Sequence, residues 1–129
     1  MFPVILGWIN FGLFLFIISP FWINLVGRRV HAKGPRYTKF LGAIRRAHKP
    51  LGVVLVGTAF VHGTLMLGGI SLHTGLLAAL AIAVIVALGI TFYRTRKKAV
   101  FKAHRILALV CLGLLLVHLI FPNLLYMFG

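Results

Sequence analysis

The chain contains HKPLGVVLVGTAFVH at positions 48–62 and HRILALVCLGLLLVH at positions 104–118. Each segment is mostly apolar, begins and ends with histidine, and has a basic residue directly after its first histidine. Fourteen residues of α-helix rise about 21 Å and make nearly four complete turns. The two histidines of each segment are therefore predicted to lie on one face of a helix, at two well-separated heights.

The apolar composition indicates a membrane protein. Of the 129 residues, 61% are hydrophobic and 11% are charged, and a soluble domain of this size has too little interior to hide that much apolar surface. Four apolar stretches account for the excess: Phe2–Val26, Leu51–Leu67, Ile70–Tyr93 and Ile106–Phe121. A helix of roughly 20 residues crosses about 30 Å of hydrocarbon, and each stretch is close to that length. The second and fourth stretches reach it when the basic segments before them, Thr38–Pro50 and Val100–Arg105, are counted as interfacial helix. The alternation of a transmembrane β-barrel is absent, so residues 1–129 are predicted to form a single all-α domain, an integral membrane bundle of four transmembrane helices.

The charges predict the topology. The chain has 14 Lys and Arg residues and no Asp or Glu. Eight of the basic residues follow the first apolar stretch and six follow the third, while none lies between the second and third stretches or at either terminus. Because basic loops stay on the cytoplasmic side, both termini are expected outside and the loops 27–49 and 94–105 inside. The expected location is a bacterial cytoplasmic membrane, which the chain crosses several times.

The positive charge also indicates partners on the inner side. Anionic lipid headgroups attract basic residues near the surface by about 1 kcal/mol each. A second interpretation is a docking face for an acidic redox protein subunit, and both interpretations remain open. Nucleic acid is not an expected partner, because the basic residues are anchored at a membrane.

The histidines predict two metal centres. If helices two and four face each other, His48 meets His104 at the inner level and His62 meets His118 at the outer level. Opposed neutral imidazoles are suitable axial ligands for haem iron, and ionisable residues inside a membrane are costly without a function. A zinc or copper site is disfavoured because no carboxylate or second thiol is present. The chain has no Cys-x-x-Cys-His, so both haems are expected to be b-type.

Residues around the histidines fit this interpretation. Gly52 and Ala108 lie one turn from the inner histidines on the same face, where small side chains leave room for a porphyrin. An apolar spacer between the two levels is expected from Leu51, Leu55, Leu107 and Cys111. The inner propionates are expected to meet the basic residues Arg45, Arg46, Lys49, Lys102 and Arg105.

Two further pairs of residues are expected to lie away from the predicted metal centres. Gly57 and Gly113 point away from the first histidines and are predicted to pack closely against helices one and three. His31 and His73 fall in connections and are expected to be solvated and without a partner, although either could touch a quinone headgroup.

Two helices with His-x13-His, paired to hold two b-type haems in a four-helix membrane bundle, resemble the cytochrome b superfamily. Within it, the chain is similar to small bacterial di-haem cytochromes b and ferric-reductase-like transmembrane cytochromes. The resemblance covers helices two to four and implies haem ligation by His48, His62, His104 and His118, with helix one as a fourth bundle member. The chain carries no flavin or nicotinamide domain and no carboxylate for a quinol-oxidising site, which leaves the electron donor and acceptor open.

Three functions remain open from the sequence. The first is a di-haem conduit for electrons between a redox partner on one face and a quinone or another acceptor on the other. The second is the membrane subunit of a larger oxidoreductase, and in neither case is an enzyme activity assigned to this chain. The third is a haem-free membrane protein whose histidines serve proton or metal movement, or helix packing.

Overall fold

The computed structural model describes residues 1–30, 34–68 and 73–121, and their regular structure is entirely helical. The helices are α1 (Phe2–Arg29), α2 (Pro35–Leu67), α3 (Thr74–Thr95) and α4 (Lys98–Ile120). Each is long and apolar enough to cross a membrane. The prediction of an all-α chain with four helices that can span a membrane is therefore confirmed.

The basic connections 27–49 and 94–105 are mostly helical, which confirms the helix predicted at Thr38–Pro50 and Val100–Arg105. Helix α2 begins at Pro35 and runs unbroken for 33 residues, through Pro50. A proline in the first turn lacks only an N–H that has no helical partner there, which explains why Pro35 begins the helix. Helices α3 and α4 are separated only by Arg96 and Lys97, and Arg96 ends α3 with a φ of 55°.

The C-terminal end of α1 packs closely on the first turns of α2. Gly27 lies inside α1, where the ring of Tyr37 occupies the space that a side chain at position 27 would need. The Tyr37 hydroxyl donates a hydrogen bond to the Ile23 carbonyl at 3.1 Å. Gly27 therefore permits a close helix contact and does not end the helix.

Consecutive helices form the main packing pairs: α1 with α2, α2 with α3, and α3 with α4. Helices α2 and α4, which carry the paired histidines, make no extensive backbone contact with each other. They approach through side chains that point toward the interior shared by all four helices. This arrangement leaves α1 and α3 to flank the histidine-bearing helices.

The buried core lies midway between the two histidine levels. Its buried members are Phe14, Ile17, Leu55, Ile82, Ile85 and Cys111. Leu55 is 2% exposed and Cys111 is fully buried, and each is seven residues from both histidines of its own helix. Leu51 and Leu107 pack against this core, so the predicted apolar spacer forms one cluster.

The prediction that Gly57 and Gly113 pack against helices one and three is wrong. Both residues are exposed, and a Cβ atom at either position would have no neighbour within 4 Å. Since the histidines of α2 and α4 point into the bundle, the opposite face of each helix points away from it. These glycines therefore lie on the outer surface of the bundle.

Candidate metal centres

The inner histidines meet across the bundle. The ring centres of His48 and His104 lie 6.1 Å apart, with their planes at 62°. A metal–imidazole nitrogen bond is about 2 Å long and the ring centre lies about 1 Å behind that nitrogen, so two rings that share a metal have centres about 6 Å apart. The spacing of this pair is therefore compatible with a metal between the two rings.

Three of the four paired histidines bind a main-chain carbonyl through Nδ1. The hydrogen bonds are His48 to Ile17 at 2.8 Å, His62 to Pro3 at 2.9 Å, and His104 to Ile85 at 2.8 Å. A carbonyl oxygen can only accept, so Nδ1 of each ring carries the proton and Nε2 carries the lone pair. Histidines that bind metals usually show this pattern, because the second hydrogen bond fixes the tautomer and the orientation of the ring.

Helix α1 orients both histidines of α2. Its role is therefore more specific than the predicted role of a fourth member of the bundle. The accepting carbonyls belong to Pro3 and Ile17, which are fourteen residues apart, as are His48 and His62. Between them, the Asn10 side-chain amide donates to the Thr58 carbonyl at 3.2 Å. None of these three contacts can be predicted from the sequence, because every residue has a main-chain carbonyl that can accept a hydrogen bond.

Pro20 lies inside α1 and leaves a carbonyl beside Ile17 without its helical donor. Proline has no N–H, so the Phe16 carbonyl loses its helical donor, and the Ser19 hydroxyl donates to that carbonyl at 2.7 Å. The proline ring also opens the preceding helical turn. That turn contains Ile17, whose carbonyl accepts from His48.

Glycines on α1 and α3 make room for three of the rings. A Cβ atom would lie 2.8 Å from His62 Cε1 at Gly7, 2.9 Å from His118 Cε1 at Gly75, and 3.3 Å from His104 Cε1 at Gly89. The first two distances are too short for any real side chain. Gly75 and Gly89 are fourteen residues apart on α3, which matches the spacing of the histidines on α4. That shared spacing is a sequence signal that could have identified the packing surface for both rings.

The outer end of the bundle contains a third histidine. His73 stacks on His118, with ring centres 6.3 Å apart and planes at 28°. His73 Nδ1 accepts a hydrogen bond from the Leu76 N–H at 3.1 Å, which caps α3. Partial burial lowers the pKa of His73, and electrostatic repulsion from His62 lowers that pKa further.

The prediction of a solvated His73 without a partner is therefore wrong. The capping bond draws its ring over the first turn of α3 and onto His118. His31, the other histidine expected to be solvated, lies outside the described residues.

The remaining predicted site residues surround the inner pair less directly. A Cβ atom at Gly52 would make an ordinary contact with Val86 of α3 at 3.6 Å, and Ala108 packs against the core. Arg45, Arg46, Lys49, Lys102 and Arg105 are all exposed. Lys49 lies over the Tyr93 ring at 3.8 Å, and Arg105 lies over the Phe21 ring at 4.7 Å. Contact of these cations with haem propionates stays a prediction.

The paired histidines fit a metal whose other ligands come from a cofactor and not from the protein. Within the described ranges, no cluster of three or more His, Cys, Asp or Glu side chains is placed to hold a bare metal ion. His48 and His104 form an opposed pair of imidazoles, and such a pair would leave four further positions on a metal, which the four nitrogens of a porphyrin could fill. Comparisons of the chain with known protein families, curated proteins and solved structures give no match. The histidine geometry is therefore the feature of this chain that points to a function.

Proposed function

We propose that this chain is a transmembrane electron-transfer protein that holds two b-type haems. His48 and His104 would hold the inner haem, and His62 and His118 would hold the outer haem. The observation that carries this proposal is the hydrogen bonding of all four rings through Nδ1, which leaves Nε2 of each ring available as a ligand. When bound, the haems supply one-electron chemistry at two depths of the membrane.

The residues of the chain set the geometry and the surroundings for that chemistry. Helices α1 and α3 fix the orientation of the rings, and each accepted Nδ1–H makes the imidazole a stronger ligand. The buried Leu55 and Cys111 exclude water from the region between the two levels. A dry interior keeps the dielectric constant low between the two levels, which strengthens electrostatic interactions there.

The proposal includes an orientation and partners. We place the basic ends of the helices on the cytoplasmic side of a bacterial cell membrane, where anionic lipids and an acidic redox subunit supply the negative charge that the chain lacks. A quinone or another acceptor exchanges electrons at one face. In this proposal the chain is the membrane subunit of an oxidoreductase complex.

Single histidine substitutions test the proposal. His62→Ala and His118→Ala should each halve the haem content per chain, because each removes one axial ligand of the outer haem only. Pyridine haemochrome analysis of the purified variants measures that content, and circular dichroism checks that the helices persist. His31→Ala is the control and should keep the full content. Two haems retained in both outer variants would reject the assignment.

A haem-free function is the second candidate, because the same hydrogen bonds tie helices together. His48 and His62 link α2 to α1, and His104 links α4 to α3. If helix tying is their only role, each bond contributes about 1 kcal/mol to stability and the purified protein is colourless.

A further inference from the structure

The outer site differs from the inner site in the group that orients its ligand. His118 Nδ1 lies 2.8 Å from the Thr74 hydroxyl oxygen, whereas the other three rings bind main-chain carbonyls. A main-chain carbonyl is present whichever amino acid occupies the position of the acceptor. The partner of His118 depends on residue 74 being threonine or serine.

Three consecutive residues at the start of α3 contact the His118 ring. His73 stacks on it, Thr74 is hydrogen bonded to it, and Gly75 leaves the space that the ring occupies. His73 is itself held in place, since its Nδ1 accepts from the Leu76 N–H. We call the segment His73-Thr74-Gly75 the outer cradle.

We propose that the outer cradle sets the ligand strength of His118, and thereby the redox potential of the outer haem independently of the inner one. This inference rests on the proposed di-haem function. Thr74 is a positioning residue in it, because it acts on the metal only through His118.

The direction of the effect follows from hydrogen-bond chemistry. A hydroxyl can donate or accept, and a neutral imidazole has one donor nitrogen and one acceptor nitrogen. When Nε2 binds iron, its lone pair is used, so Nδ1 is the donor and the Thr74 oxygen accepts. That bond raises the basicity of the ring, which stabilises ferric iron over ferrous iron. Removing the hydroxyl should therefore raise the midpoint potential of the outer haem.

Three variants of the full-length protein test the cradle. Thr74→Val deletes the hydroxyl at constant size, Thr74→Ser retains it, and Thr91→Val is a matched control on the same helix. The Thr91 hydroxyl bonds only to its own helix, at the Ala87 carbonyl, and is exposed. Potentiometric titration followed by visible spectroscopy gives both midpoint potentials, and haem titration of the apoprotein gives the affinities.

In Thr74→Val we expect one midpoint potential to rise while the other is unchanged, and outer haem affinity to fall about 10- to 100-fold. Thr74→Ser and Thr91→Val should match the wild type. If Thr74→Val does not fold, Thr74→Ala deletes the same hydroxyl and gives the same measurements.

The outcomes separate this inference from the function on which it rests. A wild-type protein that binds no haem overturns both. Two haems in the wild type, with unchanged potentials and affinities in Thr74→Val, overturn the cradle alone. An equal shift of both potentials, or a shift in Thr91→Val as large as in Thr74→Val, also overturns it, because the effect would then not be local to His118.

Discussion

At the scale of single residues, each paired histidine has two ring nitrogens to satisfy inside an apolar bundle. Nδ1 is hydrogen bonded in all four rings. Among the described residues, none of these rings has a hydrogen bond to Nε2. In the described part of the chain the only buried side-chain N or O atom without a hydrogen-bond partner is Asn10 Oδ1, so the four Nε2 atoms are not buried and are open to an added ligand. In the proposed function, haem iron would be the partner of each of these nitrogens.

Gly7→Ala should displace the His62 ring, because the new methyl group would lie 2.8 Å from Cε1 of that ring. We expect loss of the outer haem, or a changed outer midpoint potential, with the inner haem unaffected. Gly12→Ala on the same helix is the control, since a Cβ atom there has no neighbour within 4 Å. It should keep both haems and gain up to about 1 kcal/mol of helix stability. Equal behaviour of the two variants would contradict the packing of His62 on Gly7.

At the scale of helices, the two pairs of helices have different roles. Helices α2 and α4 carry the histidines, while α1 and α3 supply the hydrogen-bond acceptors and most of the glycines that receive the rings. Helix α1 contacts α2 at Pro3, Asn10 and Ile17, which are spaced seven residues apart, so the two helices keep one register over their shared length. A slip of one residue between them would remove the acceptor from both His48 and His62.

Pro20→Ala should weaken the inner site while making α1 more regular. The new N–H restores the helical bond to the Phe16 carbonyl, and closing that turn draws the Ile17 carbonyl away from His48. We expect inner haem affinity to fall roughly 10-fold or more, with the outer haem unchanged, in a haem titration of the apoprotein. Ser19→Ala retains the proline and should have a much smaller effect. An unchanged inner affinity in Pro20→Ala would show that the Ile17 carbonyl does not depend on the proline.

At the scale of the whole molecule, hydropathy alone predicts the four helices, and the spacing of the histidines predicts that His48 meets His104. The sequence predicts helix at Thr38–Pro50 and Val100–Arg105, but not where these helices begin, because exposed Lys and Arg suit both loops and interfacial helices. It also could not reveal the carbonyl acceptors on α1 and α3, since every residue has a carbonyl. The contact of His73 with His118 could not be predicted, because the capping bond of His73 depends on where α3 begins. The end of a helix is its least certain part to predict.

The haem stoichiometry of the purified wild-type protein tests the central claim most directly. A dithionite-reduced minus oxidised visible spectrum, combined with pyridine haemochrome quantification, gives the haem type and the number per chain. We predict a b-type spectrum and two haems per chain, lowered to one by His62→Ala. A colourless, folded protein that takes up no added haem would contradict the account and leave helix tying as the role of its histidines.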